Sequence, residues 1–203
     1  MAHIGLHHTT IGSQGIDLPV VALSETLAIA LMITVDHGVA FCAKAGTELA
    51  AMLDDLEVEV VVTVATMGIP LAIETTRALG LDDYAILHKT PKIHLADGES
   101  EPVVSITTAG EQRLLFDRER IRVVAGRRVA IIDDVISTGG SITAALRLVR
   151  RIGGLPVALG CLLTEGATWR TALGDDADLV RSLGEIPVFE RSADGDLSEV
   201  WEG

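Results

Sequence analysis

The stretch Val129 to Ser141, VAIIDDVISTGGS, limits what this chain can fold into more than any other. Val129, Ala130, Ile131 and Ile132 are apolar, rich in β-branched side chains and bounded by charge, which reads as a buried central strand of a parallel sheet. Asp133 and Asp134 follow at once. On an extended backbone neighbouring side chains point to opposite faces, and two anions at the end of an apolar strand need hydroxyls or a cation to offset them. Ser137, Thr138, Gly139, Gly140 and Ser141 then combine hydroxyls with glycines that permit close backbone approach, and they run into a helical pattern from Ile142 to Arg151. The N–H groups of such a turn, with the positive end of the following helix, form an anion cradle. The upstream acids suit sugar hydroxyls. The expected ligand is both a polyol and a phosphate ester, and ribose 5-phosphate fits.

The surroundings of this stretch extend the reading. Hydrophobic residues make up 48% of the 203 and aromatic residues only 3%, the balance that a parallel sheet flanked by helices requires. The length suits one α/β domain with a substantial core. A formal net charge of -13 argues against a nucleic-acid partner, whose phosphates it would repel. Cys42 and Cys161 sit in apolar surroundings and read as buried thiols of a reducing compartment, so the chain is expected to be cytoplasmic. No export signal or membrane span is expected, since MAHIGLHHTT lacks a basic start and Leu18 to Val35 carries Glu25 and several hydroxyls. His3, His7 and His8 read as solvated.

Residues 1–40 read as extended, with an edge strand around Pro19 (Ile16, Leu18, Val20, Ala22), a second apolar run from Leu27 to Val35 and a turn at Asp36 to Gly38. A helix is expected over Ala43 to Leu56. Val58 to Val64 reads as a core strand ending in Ala65, Thr66, Met67 and Gly68, before a helix at Ile69 and Pro70. This junction repeats the strand-to-helix form of the first. Tyr84 to His88 is the next strand and delivers Lys89 and Lys92, a basic pair unusual in so acidic a chain. Val103 to Thr107 and Gln112 to Phe116 flank Ala109-Gly110 and read as a hairpin, part of a lid spanning about residues 92–113. Pro156 to Thr164 is another buried strand, followed by Glu165, Gly166 and a short helix holding Trp169, which is either core or a stacking partner for a planar ring. Ile186 to Phe189 reads as the last strand, and residues 192–203 as a loosely held acidic tail.

Hydrophobic strand, Asp-Asp, two apolar residues and S-T-G-G-S together resemble the phosphoribosyl pyrophosphate (PRPP) signature of type I phosphoribosyltransferases. The resemblance implies an α/β fold with a doubly wound, mostly parallel sheet over residues 41–191, an N-terminal hood over a base, and a mobile hairpin lid. It implies Mg²⁺ as cofactor, held through PRPP and by Asp133 and Asp134, and PRPP and a nucleobase as partners. It places the 5-phosphate on Ser137 to Ser141 and pyrophosphate on Ala65 to Gly68, a loop that in the family often has unusual peptide geometry, with Lys89 and Lys92. Asp133 and Asp134 would hold the ribose, a lid acid, Glu99 or Glu101, would handle the base proton, and Glu165 and Trp169 would line the base pocket. HKTPKIHLADGESEPVVSITT resembles the basic segment and lid of xanthine-type enzymes, yet Gly166 stands where those carry a lysine. Gly98-Glu99-Ser100 partly matches adenine enzymes, Ser137 replaces the acid of hypoxanthine-guanine enzymes, and the lysine-rich lid of orotate enzymes is not seen. These features favour adenine or a modified or deaza-purine. The alternatives are an orotate-type transferase and a non-catalytic PRPP sensor. The apolar N-terminal half suggests a homodimer.

Overall fold

Runs of valine, isoleucine and leucine build two sheets in the computed structural model, which describes residues 3–95, 98–103, 112–192 and 194–201. The chain begins with β1 (His3–Ile11), β2 (Gln14–Ala22) and β3 (Leu27–Ala30), then α1 (Gly38–Ala51). The core starts with β4 (Val60–Val64), α2 (Gly68–Ala78) and β5 (Tyr84–Leu87). A hairpin of β6 (Glu99–Val103) and β7 (Gln112–Phe116) and the short α3 (Ile121–Val124) lead to β8 (Arg128–Ile136) and α4 (Gly140–Arg151). The last elements are β9 (Leu155–Glu165), α5 (Thr168–Leu173), β10 (Val180–Ser182), β11 (Glu185–Ile186), β12 (Val188–Arg191) and β13 (Leu197–Val200).

The core sheet runs β10-β9-β8-β4-β5, with β11 also beside β9, and every pairing in it is parallel. Its strands are buried on both faces, so their sequences are continuous apolar runs and not alternating ones. The two-residue period still sorts their side chains. Val60, Val62, Val64, Val129 and Ile131 pack with α4 residues such as Ile142 and Leu146, while Val61, Ala130 and Ile132 pack with Leu49 of α1 and Leu71 of α2. Helices thus cover both faces, as the doubly wound reading expects. The strand order reverses between β4 and β8, because β4 leads to β5 on one side and the next crossover lands on the other. In open α/β sheets such a switch point leaves a crevice beyond the carboxyl ends of the two strands.

The second sheet, β1-β2-β3-β12-β13, is antiparallel and differs from the sequence reading in three ways. First, the Pro19 strand is internal. The Pro19 carbonyl accepts from Leu31 N–H at 2.8 Å just past the end of β3, so the donor that proline lacks falls where the β2–β3 ladder stops. Second, the run Ile186 to Phe189 is split at Pro187. Ile186 joins the core sheet beside β9, and Val188 onward joins β3 of the hood. Third, the acidic tail supplies β13, which pairs with β12 from Arg191↔Leu197 to Val188↔Val200. The hood is therefore made from both ends of the chain. His7 lies inside it, edge-on to Phe189 with ring centroids 5.4 Å apart, so it is not a solvated terminus. Helix α1 also starts earlier than expected, at Gly38. It ends at Ala51, and Asp54 and Asp55, which a helix C-terminus disfavours, fall in a separate 3-10 turn.

Phe189 packs in the same cluster as Leu18, Ala28 and Leu163, joining hood to core. Phe189→Ala should cost about 3–5 kcal/mol of stability by urea denaturation. A loss near zero would mean that β12 and β13 are not part of the folded unit.

Candidate active site

The ends of β4, β5 and β8 converge at the switch point. Asp133 is 6% exposed, and its Oδ1 accepts from Asp134 N–H at 3.0 Å. Burial, and then the charge of Asp134, push the Asp133 carboxyl well above its ordinary value of 3.8, while Lys89 pulls the other way. Asp134 is half-buried. The chain then turns through Gly139, whose φ of 81° favours glycine; a Cβ there would also lie 2.8 Å from Ala172 Cβ and 3.2 Å from Trp169 Cα. Helix α4 starts at the next residue, so the turn's N–H groups and the helix's positive end face one place. Lys89, Asp133, Asp134 and residues 137–141 line a single cleft of about 150 Å³.

At the end of β4 the Ala65–Thr66 peptide is cis, and Ile69 N–H closes the loop on Thr66 O at 3.2 Å. Gly68 opens α2 against β8. A Cβ on it would meet Thr63 Oγ1 at 2.6 Å and Asp133 Oδ1 at 3.1 Å, so only glycine lets this loop lie on the acid pair. Thr63 is fully buried, and its hydroxyl makes no hydrogen bond among the described residues. Sequence reasoning passed over it, although a hydroxyl within the apolar run VVVTV was the available signal.

Other expected site residues lie elsewhere. Lys92 is exposed and does not line the cleft. Glu101 is buried and paired with Arg151 of α4, which also takes Ser100 O and lies 3.7 Å from Glu99. Arg151 ends the helix that Gly140 starts, about 16 Å away along its axis, so Glu101 is held far from the acid pair. Gly98 is explained by packing too, because a Cβ there would collide with Phe116 O. The lid's expected tip at 104–111 lies outside the described residues; its strands begin at Glu99, earlier than the expected Val103. Trp169 is 3% exposed, donates from Nε1 to Gly166 O at 3.0 Å and carries the Arg170 guanidinium 4.3 Å from its ring centroid. It is a core residue, and its edge borders a separate cleft of about 530 Å³ with Asp178 and Glu185. Glu165 lines neither cleft; it is buried at the end of β9 beside Ser137. Cys42 and Cys161 are both buried thiols, and burial pushes Cys161 up to about 12.

Among the described residues no group of three or more His, Cys, Asp or Glu could hold a metal. The two aspartates offer hard oxygen donors that suit Mg²⁺ if phosphate oxygens and waters complete its shell.

A model of the phosphoribosyl transferase domain matches residues 41–190. The chain belongs to the phosphoribosyltransferase family. Among curated relatives, a hypoxanthine/guanine phosphoribosyltransferase of Methanococcus vannielii is 29% identical over 136 residues, covering 67% of this chain and 69% of its own. That of Methanothermococcus okinawensis is 33% identical over 115 residues, 56% of this chain and 58% of its own length. The purine biosynthesis transcriptional repressor PurR of Bacillus subtilis is 27% identical over 150 residues, 73% of this chain and 51% of its own. Among solved structures, adenine phosphoribosyltransferase of Saccharomyces cerevisiae matches with a TM-score of 0.62 at 17% identity, covering 88% of this chain and 93% of that one. Such structural likeness establishes the type I phosphoribosyltransferase fold.

In this family member Asp133 is a destabilising charge. Because its folded value lies above 3.8, its contribution to stability is complete below 3.8 and is lost as pH rises through the folded value. Asp133→Asn should therefore raise the urea midpoint at pH 7 and above, with the gain disappearing toward pH 3.8. Destabilisation by this variant at neutral pH would contradict the burial argument.

Proposed function

We propose that the protein is a PRPP-dependent transferase that moves ribose 5-phosphate to a purine base and releases pyrophosphate, with Mg²⁺ bound alongside PRPP. The observation that carries this reading is the meeting, at one switch point, of a phosphate cradle at Ser137–Ser141, two carboxylates and the Ala65–Gly68 loop with Lys89. The 5-phosphate in the cradle acts as a remote handle that fixes the anomeric carbon between the two loops. Asp133 and Asp134 line the cleft and can accept from the ribose hydroxyls. As the bond from the anomeric carbon to pyrophosphate breaks, its electron pair leaves with pyrophosphate and the carbon gains cationic character. The N–H groups of residues 66–68 and the Lys89 ammonium would stabilise the growing negative charge, the Ala65 N–H being taken by Leu87 O at 2.9 Å, and the carboxylates the positive. A base nitrogen attacks from the opposite face and loses its proton to solvent. Mg²⁺, with Asp133 or Asp134 among its ligands, supplies charge neutralisation on the leaving group when bound.

The purine class is favoured because curated relatives carry hypoxanthine/guanine names while several solved neighbours are adenine enzymes. The lid signal for adenine loses its weight, since Gly98 and Glu99 serve the packing of the hairpin and α4. Two curated relatives, PurR and the transcriptional regulator GfcR of Methanocella arvoryzae, support a second reading in which the same site senses PRPP without turnover.

A pyrophosphate-release assay with PRPP, Mg²⁺ and adenine, guanine, hypoxanthine, xanthine, orotate and deazapurines separates these readings. Turnover with a purine is expected. Asp134→Asn should lower kcat by about 100-fold or more, and Lys89→Ala should lower kcat/KM for PRPP by roughly 10- to 100-fold. Binding of PRPP in calorimetry without turnover on any base would replace the enzyme with the sensor.

A further inference from the structure

Strand β4 reads VVVTV, and its threonine is the one residue of the five whose side chain the core does not explain. Thr63 is fully buried, and by the two-residue period it shares a face with Val61, which packs with Leu71 of α2. Valine has nearly the same shape and stands at each of the other four positions. It would fill this space without a polar atom. The Thr63 hydroxyl makes no hydrogen bond among the described residues, and a buried hydroxyl without a partner destabilises the chain that carries it.

The surroundings of that oxygen point to its partner. A Cβ on Gly68 would stand 2.6 Å from Thr63 Oγ1 and 3.1 Å from Asp133 Oδ1. The two oxygens therefore flank one point, and the missing side chain of Gly68 leaves the way between them open. The proton on Thr63 Oγ1 needs an acceptor, whereas the first turn of α2, which Gly68 begins, offers N–H donors. The acceptor beside it is the Asp133 carboxylate. In this structure Asp133 Oδ1 accepts from Asp134 N–H at 3.0 Å instead. We propose that Thr63 is a positioning residue for the ribose: when the hydroxyls of PRPP draw the Asp133 carboxylate toward them, the Thr63 hydroxyl donates to its inner oxygen and fixes its orientation. This rests on the assignment of Asp133 to the ribose hydroxyls. The Thr63 hydroxyl is then unpaired without PRPP and paired with it, and the two consequences have opposite signs. It lowers the stability of the unliganded chain and raises its affinity for PRPP.

The test is Thr63→Val, read by urea denaturation without ligand and by calorimetric titration of the full chain with PRPP and Mg²⁺ in the absence of base. The urea midpoint should rise or stay level, because valine keeps the shape and removes the unpaired hydroxyl. The Kd for PRPP should weaken by about 10- to 100-fold, the weight of a hydrogen bond to a charged group. Thr63→Ser supplies the reverse pair. Loss of the methyl should lower its urea midpoint, while the retained hydroxyl should keep its Kd close to the wild-type value. A threonine with only a packing role would instead make affinity follow stability in both variants. An unchanged Kd in Thr63→Val, or equal losses of affinity in the valine and serine variants, overturns the positioning role and leaves the site assignment intact. A lower urea midpoint in Thr63→Val, or its failure to fold, shows that the hydroxyl is already paired without PRPP and also overturns the proposal. Absence of PRPP binding to the wild type overturns the reading of the site itself.

Discussion

Parallel pairing of β4 with β8 brings the end of β4 level with Asp133, and the placement of anions there organises this molecule. Val60 to Thr63 lie beside Val129 to Ile132 in register, so the chain leaves β4 beside Asp133 while β8 continues to Ile136. Asp133 is then buried against Gly68, where a side chain larger than hydrogen would push the second loop off the first. A buried carboxylate is costly unless a cation or donors offset it, and Lys89 at the end of β5 offsets it only in part. The site is thus built short of positive charge and of hydrogen-bond partners. In the proposed complex, Mg²⁺ would supply the positive charge and the ribose hydroxyls of PRPP the donors.

Glycines in the two loops serve this geometry in different ways. Gly68 is a matter of space, since its contact is with Thr63 and Asp133. Gly139 is a matter of both conformation and space, with a left-handed φ and α5 packed against it. Trp169 has its place here: from within the core its backbone closes the far side of the Gly139 turn, and its indole N–H satisfies Gly166 O. It packs behind this turn from within the core.

The core strands were legible in the sequence because parallel strands buried on both faces leave continuous apolar runs, and VAIIDD and VVVTV are such runs. The cradle was legible because hydroxyls, glycines and a helix start fall within a few consecutive residues. What could not be read locally depends on partners distant in sequence. The tail looked loose because its strand Leu197–Val200 is polar and acidic, yet it pairs with β12, which in turn pairs with β3 about the far end of the chain. Glu101 looked free on a lid because Arg151 lies fifty residues on. Pro19 looked like an edge marker because nothing nearby shows that the β3 ladder ends opposite it. Glu165 was expected in the base pocket through the family resemblance; only the β8–β9 register, which pairs Ile136 with Thr164, shows that Ser137 and Glu165 follow neighbouring positions.

Diffraction from crystals grown with PRPP and Mg²⁺ in the absence of base tests the central claim most directly. The account predicts the 5-phosphate on the N–H groups of residues 137–141, the ribose hydroxyls on Asp133 and Asp134, and pyrophosphate between Lys89 and residues 65–68. Phosphate density outside the β4–β8 crevice, or the ester and pyrophosphate in exchanged loops, would contradict it.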